Sequence, residues 1–312
     1  MPESPARCIA VMGATATGKS ALGIRLARRF GGEVISMDSC QVYRGMDVGT
    51  GKITPAATAG VAHRLLDILD PDENGSAGQH AALAREAIAD IARRGLVPVL
   101  VGGTGLYFDA LLRPFIDPGV PPERFDAIRT GFAGRDTGDL YAELAGVDPA
   151  RAAELSVNDR VRITRALELC IATGRPVSKL FAEQRGEKAP GTFLLLVLTM
   201  PRERLRECIA RRTHALYEAG WVEEVGRLGA KGYGPSSPGM RSLGYEEIAA
   251  ALAAGDDPAD TAAAVVTRTQ QYAKRQETYF RRFTDAVWLD VSAPDFNERA
   301  GKLSEAFLGR PE

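Results

Sequence analysis

Residues 13–20 read Gly13-Ala14-Thr15-Ala16-Thr17-Gly18-Lys19-Ser20, a complete G-x-x-x-x-G-K-[ST] pattern. These residue types at this spacing bind phosphate. The glycine-rich turn aims backbone N–H groups at an anion, the lysine reaches its terminal oxygens, and the serine hydroxyl holds Mg²⁺. The run Cys8-Ile9-Ala10-Val11-Met12 before it reads as a short buried strand, and a helix with Leu22, Leu26 and Phe30 on one face follows. The positive end of that helix dipole adds to the attraction. The pattern leaves open which phosphate compound is bound.

Two further polar groups fall at strand ends. The second apolar run closes in Asp38-Ser39-Cys40-Gln41-Val42-Tyr43. In an open parallel sheet the carboxyl ends of the strands border the ligand crevice, so Asp38 is expected near the phosphate loop. There it could bind Mg²⁺ through water or take a proton from an attacking nucleophile; the alternative is a turn cap. The third run ends in Gly102-Gly103-Thr104-Gly105, where glycines allow close backbone approach and Thr104 offers a hydroxyl at the same edge. Many nucleotide hydrolases would carry an Asp there, and its absence counts against an ordinary ATPase or GTPase.

Three arginine-rich stretches follow. Asp159-Arg160-Val161-Arg162-Ile163-Thr164-Arg165 sets Arg162 and Arg165 three apart on one helix face; 202–212 ends in Arg211-Arg212; and Gln270-Gln271-Tyr272-Ala273-Lys274-Arg275-Gln276 runs on to Arg281-Arg282. One such run is ordinarily a solvated helix face. Three in a phosphate-binding chain suggest an anionic contact surface, with Gln and Tyr available to address bases. His63-Arg64 at the start of a buried segment reads as structural.

Strand-like runs at 9–12, 34–37, 97–101, 193–199 and 286–291, separated by helical stretches such as 18–30, 80–94 and 202–219, must position these groups. Aliphatic strands alternating with amphipathic helices predict an α/β fold, a parallel sheet with helices on both faces. Residues 114–190 hold no convincing strand and read as a helical insertion, its clearest helix at 159–173, hinged at Arg113-Pro114 and Ala189-Pro190-Gly191. The expected division is a phosphate-loop core of 1–113 plus 191–312 and an insertion of 114–190.

At 312 residues with 45% hydrophobic and 25% charged residues, the chain has the composition of a soluble globular protein. Its net charge of −1 excludes a generally basic nucleic-acid binder, so any such partner must meet a local basic surface. Cys8, Cys40, Cys170 and Cys208 form no C-x-x-C pair, which argues against a zinc site or disulfide framework. The start Met-Pro-Glu-Ser-Pro is too polar for a signal peptide and no apolar run approaches membrane-spanning length, so a cytoplasmic protein is expected.

Read together, the segments resemble one family, the tRNA dimethylallyltransferases (tRNA isopentenyltransferases). Beyond residues 13–20 and 38–43, the matching pieces are Gly45-Met46-Asp47-Val48-Gly49-Thr50-Gly51-Lys52, His63-Arg64-Leu65-Leu66-Asp67, Gly102-Gly103-Thr104-Gly105-Leu106-Tyr107, Asn158-Asp159 with Arg162 and Arg165, Arg241-Ser242-Leu243-Gly244-Tyr245, and Ala273-Lys274-Arg275-Gln276. They stand in the family's order over roughly residues 8–290 and match its shorter bacterial form.

The resemblance implies a phosphate-loop nucleoside-triphosphatase-like fold and an enzyme that moves a dimethylallyl group from its diphosphate to the exocyclic N6 of the adenosine beside the tRNA anticodon. The loop would then hold the diphosphate leaving group with Mg²⁺, Asp38 would be the base and Thr104 would assist it. The resemblance further implies tRNA contacts from Asp38, Ser39, Cys40, Gln41, Thr104 and Arg124, from Val161, Arg162, Ile163, Thr164 and Arg165, from Arg241, Ser242, Leu243, Gly244, Tyr245 and Glu246, and from Lys274 and Arg275. The insertion would grip the anticodon stem-loop with the target base flipped out, and a monomer is expected. The chain departs from the family pattern at two places. Gln270 stands where an arginine is usual, and after Pro121-Pro122-Glu123 the arginine comes one residue early, as Arg124, leaving Phe125 in its slot.

A small-molecule or nucleotide kinase is the main rival, sharing the phosphate loop, the sheet and a late arginine-rich helix, but it requires neither the insertion nor the Ala273-Lys274-Arg275-Gln276 element. A non-catalytic RNA-binding module would not explain an intact phosphate loop beside Asp38.

Overall fold

The computed structural model describes residues 5–113, 122–184 and 189–309. Pro114 and Pro121 lie outside the described residues. Chain contacts divide the protein into two units, Met1–Leu112 with Ala189–Glu312, and Arg113–Lys188.

The first unit is built on six strands: β1 (Ala6–Gly13), β2 (Gly32–Ser36), β3 (His63–Arg64), β4 (Val97–Gly102), β5 (Gly191–Thr199) and β6 (Val287–Asp290). They form one sheet in the order β3-β2-β4-β1-β5-β6, every pair parallel. Helices α1 (Lys19–Phe30), α2 (Ala77–Arg93) and α3 (Gly105–Leu112) belong to its first half. The second unit holds α4 (Pro122–Thr130), α5 (Thr137–Val147), α6 (Pro149–Ala153), α7 (Arg160–Thr173) and α8 (Val177–Gln184), with no strand among its described residues. The first unit resumes with β5 and then α9 (Arg202–Glu218), α10 (Trp221–Ala230), α11 (Tyr245–Ala254), α12 (Ala262–Phe280) and α13 (Phe296–Leu308).

Alternation along the strands explains why the sheet is covered twice. Cys8, Ala10 and Met12 point into one core with Ile35, Leu100 and Val197, under Ile88 of α2 and Phe108 of α3. Ile9 and Val11 point into the other with Val34, Val99 and Leu196, under Leu22, Leu26 and Phe30 of α1. The apolar stripe of α1 is therefore the one its spacing implies, and the helix stops at Gly31, whose left-handed conformation (φ 65°) returns its N–H to the Ala27 carbonyl. Ser76 accepts from the N–H of Gln79, so α2 starts at Ala77, ahead of the expected 80. β3 was absent from the expected strands because two residues carry no period.

The second unit has its own core, in which Leu140, Leu144, Ile163 and Leu167 are fully buried. Cutting one of these to Ala costs about 2–5 kcal/mol through lost transfer and a residual cavity. Asp159 caps α7 through the N–H of Arg162, and left-handed Gly174 ends it.

Candidate active site

β1 delivers the chain into the phosphate loop at the middle of the sheet. Gly13 (φ 138°) is required there, since a Cβ would stand 2.5 Å from the Leu198 carbonyl oxygen of β5. Ala16 (φ 64°) and Gly18 (φ 84°) complete a left-handed turn that aims the loop back over the N-terminus of α1. Thr17 Oγ1 donates to the Ala14 carbonyl (2.8 Å), and Lys19 Nζ folds onto the same oxygen (2.6 Å). One loop amide is committed elsewhere: the N–H of Thr15 donates to Gln276 Oε1 (2.8 Å), while Gln276 Nε2 donates to the Gly103 carbonyl (2.9 Å). Gln276, buried on α12, thus ties the phosphate loop to the end of β4.

The loop opens onto a cavity of about 160 Å³ within the first unit. Lys19, Ser20, Asp38 and Arg212 line it, and so do the apolar side chains of Val34, Ile53, Leu66, Ile209, Leu216 and Trp221. Removal from water pulls the Lys19 pKa down to about 7, the nearby Arg212 adds to that, and Asp38 opposes it. Burial likewise lowers Arg212, against the field of Asp38. No ion pair joins Lys19, Arg212 or Asp38 to another residue among the described residues. Two cations and one carboxylate are therefore held in one cavity, coupled through their fields.

Asp38 has both of its expected features. Its Oδ1 accepts from the N–H groups of Cys40 (2.9 Å) and Gln41 (3.3 Å), a turn cap, while the residue lines the cavity. The cap engages one carboxylate oxygen and fixes the side chain. Thr104 stands behind that turn: its Oγ1 accepts from the Ser39 N–H (3.0 Å), and it is not among the residues lining the cavity. Thr104 also hydrogen-bonds the Tyr272 hydroxyl, whose pKa is raised chiefly by burial. Tyr272 faces the cavity from α12.

Sequence spacing did not single out Arg212. It sat at the end of a run read as a surface, yet Leu205, Ile209, Arg212 and Leu216 follow one stripe of α9, and its guanidinium reaches Thr15 Oγ1 (3.4 Å) and the Thr50 carbonyl (3.3 Å). Glu224 was missed in the same way. It shares the buried face of α10 with Trp221, Val225 and Leu228. A charged residue on an apolar stripe was the available signal in both cases. His63, read as structural, bonds the Val61 carbonyl through Nδ1 (2.9 Å) and also lines the cavity, while Arg64 pairs with Glu33 (2.8 Å).

The residues expected to meet tRNA divide by exposure. Cys40 hydrogen-bonds Ser242 and Ser39, which joins the 38–41 and 241–246 segments in the first unit; burial pushes its thiol up to about 11. Gln41, Ser242, Leu243 and Tyr245 line the cavity, Arg241 and Glu246 are exposed, and Gly244 is buried against Trp221. Tyr245 is only 1% exposed and donates its hydroxyl to Glu224 (2.6 Å), so its ring is core rather than free surface. On α7, Val161 and Arg162 are exposed, but Ile163 is fully buried in the second unit's core and Thr164 donates back to the Arg160 carbonyl (2.9 Å). The Ile163 side chain is turned away from the surface expected of it, while Thr164 is half-exposed with its hydroxyl held by its own helix. Arg165 donates to Glu168 (2.8 Å) and stacks on Phe125 at 5.0 Å. Phe125, the residue in the departed slot, is itself core, while Arg124 is exposed on α4. Lys274 and Arg275 are exposed on α12, with Arg275 over the Tyr272 ring at 5.8 Å.

Known proteins resemble this chain in sequence and in fold. The IPP transferase family model matches residues 41–283, and the isopentenyl transferase model matches 6–70. A tRNA dimethylallyltransferase of Roseiflexus is 43% identical over 96% of this chain and 98% of that protein, and one of Methylococcus capsulatus is 43% identical over 96% and 97%. Among solved structures, a tRNA isopentenylpyrophosphate transferase of Staphylococcus epidermidis superposes with TM-score 0.70 at 31% identity, covering 98% of this chain and 100% of that one. A eukaryotic dimethylallyltransferase acting on tRNA superposes with TM-score 0.83 at 28% identity, over 98% of this chain and 80% of that one.

Proposed function

The chain belongs to the IPP transferase family, and we propose that it transfers a dimethylallyl group from dimethylallyl diphosphate to the exocyclic N6 of the adenosine beside the anticodon (position 37) of tRNA, releasing diphosphate. Its activity is that of a prenyl transferase acting on tRNA, as its relatives are named. The observation that carries the finer reading is the cavity itself. Lys19 and Arg212 stand at its phosphate-loop end, Asp38 lines it, and apolar side chains complete the wall. The cations suit a diphosphate and the apolar wall suits a short hydrocarbon chain, the two parts of this donor.

N6 of adenine is a poor nucleophile, so the reaction depends on leaving-group stabilisation and on tolerance of positive charge at the allylic carbon. Lys19 and Arg212 meet the diphosphate as its charge develops, an interaction stronger in the transition state than in the ground state. Asp38, held by its cap, takes the amine proton through its second oxygen and places negative charge near the allyl fragment. Thr104 orients that turn through Ser39. Mg²⁺ fits the donor set present: the exposed Ser20 hydroxyl in the first turn of α1 would hold it, and no cluster of three metal-ligating side chains occurs among the described residues. Magnesium commonly takes most of its ligands from substrate phosphates and water. Bound there, it would neutralise charge on the diphosphate.

For tRNA, the exposed cations of the expected segments are Arg124 on α4, Arg162 and Arg165 on α7, Lys274 and Arg275 on α12, and Arg241. We read the chain as a monomer acting in the cytoplasm; no described helix is long and apolar enough to cross a membrane. Incubation with unmodified tRNA and labelled dimethylallyl diphosphate tests the proposal. Label is expected on tRNA, at the adenosine beside the anticodon, without ATP consumption. Phosphoryl transfer from ATP with no labelled tRNA would favour the kinase reading and overturn this one.

A further inference from the structure

We infer that Glu224 is a positioning residue, setting the direction of Arg212 through the turn at residues 47–50. The inference rests on the reading of Arg212 as a holder of the leaving diphosphate. Glu224 is 2% exposed, and no cation pairs with it among the described residues. Four donors converge on its carboxylate instead. Oε2 accepts from the N–H groups of Asp47 (2.9 Å) and Val48 (2.8 Å), and Oε1 from the N–H of Gly49 (3.1 Å) and the hydroxyl of Tyr245 (2.6 Å).

Three successive N–H groups turned the same way form an anion-receptive concavity. Here the protein's own carboxylate fills it. The turn is left with a carbonyl for its other contacts, and the Thr50 oxygen accepts from Arg212 Nη2 (3.3 Å) and from Gln41 Nε2 (3.4 Å). The turn is braced at both ends. Thr50 Oγ1 donates to the Met46 carbonyl (2.7 Å), and Lys52 Nζ bonds Asp47 Oδ1 (2.6 Å). It also lies against Trp221, so closely that a Cβ on Gly49 would stand 1.9 Å from the indole Nε1. A buried carboxylate without donors is costly, and an apolar residue would pack with Trp221, Val225 and Leu228. What the carboxylate supplies at this position is four bonds, three of them to the turn that the guanidinium rests on.

The test measures binding of inorganic diphosphate in the presence of Mg²⁺, and of unmodified tRNA, by calorimetry on the full chain. Four proteins are compared: wild type, Arg212→Ala, Glu224→Gln and the double variant. Glu224→Gln keeps the shape but turns one acceptor into an NH₂ that faces a donor, so the turn must shift. Arg212→Ala is expected to weaken diphosphate binding by about tenfold or more. Glu224→Gln should weaken it about five- to tenfold, leave tRNA affinity within about twofold, and cause no further loss once Arg212 is gone. A full loss from Glu224→Gln in the Arg212→Ala background, or no loss in the wild-type background, overturns the positioning role and leaves the reading of Arg212 standing. Unchanged diphosphate binding in Arg212→Ala overturns that reading, and the inference with it. If Glu224→Gln does not fold, Tyr245→Phe takes its place, removing one donor of four. It should weaken binding about twofold, again only when Arg212 is present; a loss that persists without Arg212 overturns the positioning role.

Discussion

Two regions of the protein carry concentrated charge, and they hold it in opposite ways. In the cavity of the first unit, Lys19, Arg212 and Asp38 are drawn out of bulk water without ion-pair partners among the described residues, and each is fixed by backbone groups. On the second unit, Arg129 and Arg165 converge on the buried Glu168 (3.0 and 2.8 Å), while Arg162 stays at the surface, 3.5 Å from Asp159. The first arrangement is expensive without a ligand, and a bound ligand relieves that cost. The second is satisfied by itself at Glu168, and the most exposed of these three arginines, Arg162, has only a long ion pair. Substitutions in the cavity should therefore change chemistry, and substitutions on α7 should change affinity.

Asp38→Asn is expected to separate the two most widely. Asn preserves shape and caps about as well as Asp, so the turn through Cys40 and Gln41 should persist. The proton acceptor and the charge are lost, and turnover should fall by roughly 10²–10⁴ with donor affinity little changed. Single-turnover kinetics and a thermal melt on the same sample check this. A folded variant with near-normal turnover would remove Asp38 from the chemistry and reduce it to its cap.

Lys19→Ala comes next. Losing one cation that meets the leaving group should cost on the order of 3 kcal/mol in the transition state, while tRNA affinity stays within about twofold. A parallel loss of tRNA binding would erase the distinction between cavity and surface.

How far these assignments were legible in the sequence depended on the range of the forces that make them. The phosphate loop, the stripe of α1 and five of the six strands are local patterns, and local patterns survive in a linear string. Burial of charge is not local. Arg212 reads as one more surface arginine until α9 packs its Leu205–Ile209 stripe inward, and Glu224 becomes an internal anion only because the turn at 47–49 is brought over it. Ile163 shows the converse. It belongs to a segment marked for tRNA by resemblance, yet helical periodicity sends it into the core while Arg162 faces out.

On α7 the effects should be smaller and of another kind. Arg162→Ala is expected to weaken tRNA binding about three- to tenfold and to reduce the log–log salt slope by about 0.7–0.9, the share of one released phosphate contact. Its thermal stability should hold, since its one ion pair is long and exposed. Arg165→Ala should also lower the melting temperature, because Glu168 and Phe125 lose a partner. Affinity across a salt series, with a melt for each variant, checks both. An Arg162→Ala slope equal to wild type would take α7 out of the tRNA surface.

The smallest expected effect is a proton, and it belongs to the cavity. Free Lys19 sits at about 7 rather than the ordinary 10.5, chiefly because it is removed from water and secondarily because Arg212 is near. An anion bound between the two reverses the second cause and opposes the first, so diphosphate must raise the Lys19 pKa. A group that binds its proton more tightly in the complex takes one up on binding, within the window between the free and bound values. Near pH 6 the lysine is charged in both states and uptake from it is close to zero. Near pH 8 it is mostly neutral when free and charged when bound, so uptake approaches one proton, and affinity for inorganic diphosphate falls as pH rises above about 7. Lys19→Arg is charged throughout this range, and the titration of diphosphate itself is common to both proteins. The difference between the two, measured by calorimetry in buffers of different ionisation enthalpy, therefore isolates the lysine. Equal uptake by wild type and Lys19→Arg at pH 8 would show that the cavity does not hold its cation in the strained state that sets it apart from the face of α7.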